Sequence, residues 1–138
     1  MLFRSKRTLR HLDPSAVVPK RVKAALDVLA EGVVLLDPQG FIVLANTAFG
    51  ERVGRPSSSL LGQALSDLPW EAASPDITDY PWHIAEETGQ PAAGSRLILA
   101  QPLGEAKRFL VNSAPIIDDQ GRVRGVLTSF DEIGRAHV

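Results

Sequence analysis

The sequence of 138 residues contains no cysteine. This absence excludes disulfide bonds, thiolate nucleophiles, cysteine-ligated zinc and any cofactor attached through a cysteinyl bond. It also fits a reducing compartment. We therefore expect a cytoplasmic location, either free or as the cytoplasmic part of a membrane-anchored sensor. Aromatic residues are few as well, at 6% of the chain, which predicts a core made mostly of Val, Leu, Ile and Ala.

Long hydrophobic runs are absent too. No stretch approaches the roughly 18 apolar residues that a membrane-spanning helix needs. The basic start MLFRSKRTLR is not followed by the apolar segment of a signal peptide. A length of 138 residues with 44% hydrophobic composition fits one globular domain.

Negative charge is scarce near the N-terminus. Residues 1–24 contain seven Lys and Arg against one Asp, whereas the remainder contains eight basic and fifteen acidic residues. Such an arm can contact anionic lipid or nucleic acid. We prefer the plainer interpretation, a basic linker over residues 1–18 that binds no nucleic acid and lies near a membrane only through a longer parent protein.

Two features follow the linker. Residues 19–30 are predicted to form a flanking helix, because Val22, Leu26 and Leu29 recur at helical spacing. The apolar stripe is narrow and needs a surface to lie on, either this domain or a second copy. Residues 33–37 and 41–46 are then predicted to form a β-hairpin around the turn Asp37-Pro38-Gln39-Gly40.

After the hairpin, the pattern of apolar residues changes once, from helical spacing to the alternation typical of strands. Short helices are predicted in residues 47–54, 57–62 and 81–89, with a loop over residues 68–80, and strands in 95–100, 107–117 and 123–133. The result is a five-stranded antiparallel sheet whose helices are inserted between strands two and three. The predicted class is α+β, with the helices over one sheet face.

Three stretches of the chain resemble the signature segments of the PAS sensor family, over about residues 28–133. The matching positions are Gly32, Asp37, Gly40, Ile42, Asn46 and Ala48; Leu60, Leu61 and Gly62; and Pro115, Ile116, Asp118, Gly121, Val123 and Gly125. The resemblance implies a PAS domain over residues 31–133 and a tail, 134–138, that leads toward a downstream module. Asn46 is expected to cap the helix that leaves the hairpin. Glu132-Ile133-Gly134 stands where the family often has Asp-Ile-Thr, a junction that relays the signal.

The resemblance also implies an interior that binds haem, flavin, a small acid or nothing. Flavin and thioester chromophores of the cysteine-linked kinds are excluded. Haem would need an axial ligand, for which His83 is the candidate. Alternation along residues 107–116 places Phe109, Val111 and Ser113 on one sheet face, which the resemblance turns toward the helices. We expect a filled core without cofactor or metal, with haem or a small metabolite as alternatives.

The opposite sheet face also contains apolar residues, among them Leu110, Ala114 and Leu127. A sheet that is apolar on both faces needs cover on both. The cover is expected from the 19–30 helix, through Val22, Leu26 and Leu29, or from a partner subunit. A homodimer is therefore predicted.

The function that the resemblance implies is a regulatory sensor and dimerisation module, as in the cytoplasmic PAS domain of a bacterial two-component sensor histidine kinase, without catalysis in this chain. The effector would be a kinase domain of the same polypeptide. One alternative is a ligand-binding sensor of a diguanylate cyclase or transcription regulator. A small enzyme using Asp37, Asp118 or Asp119 is the least favoured, because acids in turns are ordinarily solvated.

Overall fold

Six strands form one antiparallel sheet in the computed structural model, which describes residues 20–72 and 79–134. The strands are β1 (Gly32–Leu36), β2 (Ile42–Ala45), β3 (Trp70–Ala72), β4 (Ala92–Leu99), β5 (Lys107–Ile117) and β6 (Val123–Ile133), in the spatial order β2-β1-β6-β5-β4-β3. The sequence predicts five strands, and β3 is the additional one. It lies in the segment assigned to a loop and pairs with the end of β4. The predicted 1–18 linker and the tail beyond residue 134 lie outside the described residues.

Within the described residues, three short α-helices and two 3-10 helices accompany the sheet. They are α1 (Lys20–Asp27), α2 (Thr47–Val53) and α3 (Pro81–Thr88), with 3-10 helices at Ser57–Leu60 and Leu65–Asp67. The flanking helix thus ends at Asp27, earlier than the 19–30 range predicts. Within the described ranges, no helix has the length and apolar character that crossing a membrane requires.

The β1–β2 turn is held by its own first residue. The Asp37 carboxylate accepts hydrogen bonds from the backbone N–H of Gln39 at 2.9 Å and of Phe41 at 3.0 Å. Gly40 donates its N–H to the Asp37 carbonyl and adopts a φ of 90°, which glycine tolerates without a steric penalty. The turn predicted from the sequence is therefore present, and the Asp37 carboxylate is used in building it.

The free edge of β2 is occupied by a later part of the same chain. Ile42 donates its N–H to the Gln63 carbonyl at 2.8 Å and accepts at its own carbonyl from Gly62 N–H at 2.8 Å. Leu65 N–H adds a bond of 3.0 Å to the Gly40 carbonyl. The segment between the two 3-10 helices thus closes this side of the sheet.

The core lies between the inner face of the sheet and helices α2 and α3. Its members are aliphatic in the majority, as the composition predicts, but they include five of the eight aromatic residues of the chain: Phe49, Trp70, Trp82, Phe109 and Phe130. The aromatic residues come from both helices and from three strands. The few rings that the sequence has are therefore concentrated in one place.

The outer face divides into two parts. At the β1–β2 hairpin, Val33 and Leu44 face outward by register and are buried. Lys20 and Lys23 of α1 line a small cavity together with Leu44, which places α1 over this part. On the central strands, Leu127 is 39% exposed and Ile116 is 42% exposed. Helix α1 buries none of its own residues, and the cover that the sequence requires is present only over the hairpin.

Candidate sensory and signalling site

The predicted lining of the interior lies on the inner face of the sheet. Phe109 and Val111 are fully buried in the core, and Ser113 is 3% exposed. The Ser113 hydroxyl lies 2.8 Å from the hydroxyl of Thr128, directly opposite on β6. These two hydroxyls give an otherwise apolar lining a single polar point.

Aromatic rings occupy the space next to that lining. The rings of Trp70 and Phe130 stack with centroids 5.3 Å apart, and Phe109 meets Phe130 edge-on at 6.0 Å. Trp70 Nε1 donates to the Leu65 carbonyl at 3.0 Å, so its one polar atom is satisfied. The rings pack against one another where a ligand inside the core would have to lie.

His83 belongs to a hydrogen-bonded chain beside the core. Its Nδ1 lies 3.0 Å from the Asp79 carboxylate and its Nε2 lies 3.1 Å from the Ser66 hydroxyl. Trp82 Nε1 donates to the same hydroxyl oxygen at 3.0 Å. The carboxylate can only accept, which assigns the proton of the neutral ring to Nδ1 and leaves Nε2 to accept from Ser66. This series of hydrogen bonds holds α3 against the second 3-10 helix.

An acidic cleft of about 240 Å³ opens next to His83. It lies between the β1–β2 turn and α3 and contains four carboxylate residues. The lining includes Asp37, Gly40, Asp79, Trp82, His83, Glu86 and Glu87. A small cationic or polar molecule suits such a cleft better than an anion does.

Asn46 connects the hairpin to two helices. Its Oδ1 accepts from the N–H of Val33 at 2.9 Å and of Phe49 at 3.0 Å, the second being the N-cap bond of α2. Its Nδ2 donates to the carbonyls of Leu26 at 2.9 Å and Glu31 at 3.0 Å. The side chain is fully buried and satisfies four backbone groups. The cap expected from the sequence is present, and the contact with the end of α1 extends it.

The last strand is joined to α2 near the point where the chain leaves the sheet. Glu132 Oε1 lies 3.3 Å from Arg52 Nε, and Lys107 Nζ donates to the Arg52 carbonyl at 2.8 Å. Arg52 Nε makes no hydrogen bond, so charge attraction holds the first pair. Ile133 is half-buried and lines, with Lys107 and Glu132, a wide groove of about 690 Å³ at the same end.

A family model described as "PAS fold" matches residues 26–138. The chain belongs to the PAS family. No curated protein matches the sequence.

Solved structures, among them two PAS domains, have the same fold. The PAS domain of a protein from Colwellia psychrerythraea is 21% identical, with a TM-score of 0.65 over 83% of this chain and 95% of that one. The PAS domain of nitrogen regulation protein NR(II) from Vibrio parahaemolyticus is 19% identical, with a TM-score of 0.64 over 83% and 100%. The LOV protein of Rhodobacter sphaeroides is 20% identical, with a TM-score of 0.68 over 86% and 68%. At these identities the likeness concerns the fold alone.

The dimer residues predicted for this PAS domain lie in two places. Leu110 and Leu127 are on the outer face of the two central strands, β5 and β6. Val22 and Leu29 are 39% and 43% exposed near α1, and Leu26 is half-buried. The residues at α1 lie beside the hairpin, at one side of the sheet. They therefore do not form one continuous surface with Leu110 and Leu127 on the central strands.

Two of the three acids considered for catalysis, Asp37 and Asp118, serve turns in this PAS domain. Asp118 Oδ1 accepts from the N–H of Gln120 and of Arg122, as Asp37 does in its own turn. The bond from the Arg122 N–H is the main reason that the pKa of Asp118 lies below its ordinary value. A general base working near neutral pH needs a raised pKa instead. Among the described residues, no group of three or more His, Asp or Glu could hold a metal ion.

Several residues of the site are not evident from the sequence. Ser66 and Arg52 belong to no recognisable motif, and each contacts a partner that is remote in sequence; Asp79 belongs to none either and lies four residues before His83. Trp70 lies in a segment rich in Pro, Asp and Ser, which predicts a loop, whereas the structure has a three-residue strand there. The large aromatic side chain in a short apolar segment is the signal that would have placed it in the core.

Proposed function

We propose that this PAS domain is the regulatory sensor and dimerisation module of a signal-transduction protein, that it performs no catalysis itself, and that a cytoplasmic two-component sensor histidine kinase is its parent. The kinase is the parent that the sequence resemblance favours. The observation that carries the proposal is the Arg52–Glu132 ion pair, since it joins an internal helix to the strand that leads out of the domain.

The contacts around α2 supply a route for a signal. Asn46 holds the start of α2 and binds the carbonyl of Leu26 at the end of α1. Arg52, in the last turn of α2, contacts Glu132 two residues before Gly134. A shift of α2 would therefore displace both the entering helix and the leaving strand. Two discrete positions of α2 are the bistable element that this route requires.

The outer face of the central strands supports dimerisation. Leu127 and Ile116 are about two-fifths exposed, and Ala114, opposite Leu127, is exposed as well. Contiguous apolar surface of this kind is typical of protein interfaces. If a second copy packs the same outer face against this one, the two chains form a two-fold symmetric, self-complementary contact.

The relay is tested by fusing residues 1–134 to the dimerisation and catalytic region of a histidine kinase with measurable autophosphorylation. Arg52→Gln should change the basal rate several-fold while the domain stays folded. Arg55→Gln, two residues beyond the same helix, is the matched control and should leave the rate unchanged. Equal autophosphorylation rates for the wild type and Arg52→Gln, with both proteins folded, would contradict the proposed relay.

Dimerisation is tested by native mass spectrometry of the purified 138-residue chain, which gives the subunit count and any bound mass together. A dimer is expected for the wild type and a monomer for Leu127→Glu, because two carboxylates would oppose each other across the symmetric contact. Leu103→Glu, at a side chain 90% exposed on the β4–β5 turn, is the control and should remain dimeric. A monomeric wild type would contradict this part of the proposal.

The alternative function is a ligand-binding sensor with another effector, such as a diguanylate cyclase or a transcription regulator. The observation that favours it is the cleft beside His83. Haem fits that position poorly, because both ring nitrogens are engaged and Nε2 would have to leave Ser66 to bind iron. A small polar metabolite is the version that the cleft supports. A releasable small molecule in the native mass spectrum, lost in His83→Ala, would favour this alternative.

A further inference from the structure

A small cavity of about 130 Å³ lies between α1 and the hairpin, on the outer side of the sheet. Its walls combine apolar side chains with two cations, namely Val43, Leu44 and Leu61 with Lys20 and Lys23. Leu44 faces outward by register, whereas its neighbour Ala45 belongs to the core. The cavity shares no lining residue with the cleft beside His83. It is therefore a separate space, outside both the interior and that cleft.

One positive charge at this cavity is uncompensated. Lys20 and Lys23 are three positions apart on α1 and therefore lie on the same side of the helix. Lys23 Nζ is bound to Asp27 Oδ2 at 2.8 Å, so its charge is already paired. Lys20 is exposed, and within residues 20–72 and 79–134 its ammonium group has neither a hydrogen-bond nor an ion-pair partner. An anion at the rim of the cavity would thus meet one free cation.

Hydrogen bonds fasten helix α1 to the domain at one end. The Leu26 carbonyl accepts from Asn46 Nδ2 at 2.9 Å, and Asp27 Oδ1 accepts from the Thr47 N–H at 2.8 Å. Both contacts are in the last turn of the helix. The first turn, which contributes both lysines to the cavity, makes no hydrogen bond to described residues outside α1. A ligand in the cavity would join α1 to the hairpin where hydrogen bonds do not.

We propose that this cavity binds a short aliphatic carboxylate of about five or six carbons. An apolar cavity of roughly 150 Å³ accepts one benzene molecule, which sets this size for the alkyl chain. The chain lies against Val43, Leu44 and Leu61, and the carboxylate meets the ammonium group of Lys20. Ser58 lines the same cavity, and its hydroxyl, which bonds to no other described residue, can donate to the second carboxylate oxygen. The bound acid holds the first turn of α1 against β2.

Other small molecules fit this cavity less well. An amine would be repelled by Lys20 and Lys23. A phosphate monoester brings two negative charges to a single free cation, and a neutral alcohol of the same length leaves that cation without a partner. The acyl chain of a membrane lipid is too long for 130 Å³. A short acid with one charge matches both the volume and the free cation. This site goes beyond the proposed function, since it depends on neither the dimer contact nor the Arg52–Glu132 pair.

The test is a titration of the full 138-residue chain, isotopically labelled at its methyl groups, with hexanoate and with 1-hexanol, followed by NMR. We expect saturable shifts of the Val43, Leu44 and Leu61 methyl signals, with a Kd for hexanoate on the order of 1 mM. Affinity should rise roughly fourfold per methylene from butanoate to hexanoate. It should then stop rising toward decanoate, because the additional methylenes remain in water.

Two substitutions separate the charge from the apolar wall. Lys20→Gln should weaken hexanoate binding about two- to fivefold and leave hexanol binding unchanged. Leu61→Ala, at a side chain that is 40% exposed, should weaken the binding of both by a few-fold. Arg21→Gln is the matched control, because it removes the same charge from the next residue of α1, which does not line the cavity. It should leave both affinities unchanged.

Four outcomes would overturn the site. Equal weakening of hexanoate binding by Lys20→Gln and Arg21→Gln would reduce the effect to net charge. Shifts centred on Val111 in the core, or on His83, would place the acid elsewhere. An affinity that keeps rising through decanoate would indicate adsorption to an open surface. The absence of saturable shifts at roughly 20 mM hexanoate, about twenty times the expected Kd, would mean that the cavity takes no such ligand.

Discussion

The inner and outer faces of the same six strands differ in how they meet their surroundings. On the inner face, Phe109, Val111 and Phe130 are completely buried, and rings contact rings. On the outer face, Leu127, the immediate neighbour of Thr128, is 39% exposed. Alternation along a strand thus divides one segment between a sealed interior and an open surface. Both faces carry apolar residues, but only on the inner face are they completely buried along the central strands.

The largest expected effect concerns the inner face. Phe130→Ala removes a ring that contacts Phe49, Trp70 and Phe109, and the remaining cavity cannot be filled by rigid neighbours. A loss of about 3–5 kcal/mol in the free energy of unfolding is expected from urea denaturation. Leu127→Ala, on the same strand but facing outward, should cost under about 1 kcal/mol at concentrations where the protein is monomeric. Similar losses at the two positions would mean that the outer face is covered.

The next largest effect is expected at Asn46, which links the hairpin to helices α1 and α2. Asn46→Ala leaves two backbone N–H groups and two carbonyls without their partner at a buried position. A loss of about 2–4 kcal/mol is expected. Asn112→Ala is the control, because the Asn112 side chain accepts one exposed bond from Gly94 and should cost about 0.5–1 kcal/mol. Thermal and urea unfolding of both variants would decide whether Asn46 has this special role.

A smaller effect is expected where two strands approach each other closely. A Cβ added at Gly125, on the outer side of β6, would lie 2.6 Å from the Leu36 carbonyl oxygen. Backbone would have to move, and Gly125→Ala should therefore cost about 1–3 kcal/mol. Ala114→Ser adds one atom to an exposed outer position and should be nearly neutral. If Gly125→Ala unfolded at the same urea concentration as the wild type, the outer side would be looser than the distance indicates.

The smallest effect is a dependence on pH at the contact between α1 and α2. The bond from Lys23, and then the bond from the Thr47 N–H, lower the pKa of Asp27 below its ordinary value of 3.8. A lowered pKa in the folded state means that the contribution to stability is present above pH 3.8 and is lost as the pH falls through the folded-state pKa. Because the pair is partly exposed, the contribution is under about 1 kcal/mol.

Asp27→Asn provides the corresponding measurement. Its urea midpoint should lie below that of the wild type at pH 7, and the difference should shrink toward zero as the pH is lowered below 3.8, the ordinary value of this carboxyl. Asp119→Asn, an exposed residue of the β5–β6 turn, should show no such difference at either pH. If the difference in urea midpoint between Asp27→Asn and the wild type persisted at acid pH, the effect would be due to packing and not to the charge of Asp27.

Local patterns were sufficient to predict most of the fold. The Asp37–Gly40 turn, the strands that carry Phe109 and Leu127, and the cap at Asn46 depend on neighbours within a few residues, and all are present. The PAS assignment followed from three such stretches taken in order. These elements are predictable because their geometry is set by nearby residues.

The parts that were not predicted depend on contacts that are remote in sequence. Ser66 and His83 are 17 residues apart, and Arg52 meets Glu132 across the length of the domain. Trp70 became part of a strand because β4 was there to pair with it, not because three residues favour that state alone. The position of α1 likewise depends on the hairpin beneath it, and its own stripe only indicated that a surface was needed.

The chain's own backbone at the edge of β2 has a consequence for how copies of this domain can meet. With Gln63 and Gly62 bonded to Ile42, the main-chain groups there are already used. A strand from another molecule cannot pair with the main chain at Ile42, and extension of the sheet from domain to domain is blocked at that residue. A contact between copies at this point of the sheet would therefore have to be made through side chains.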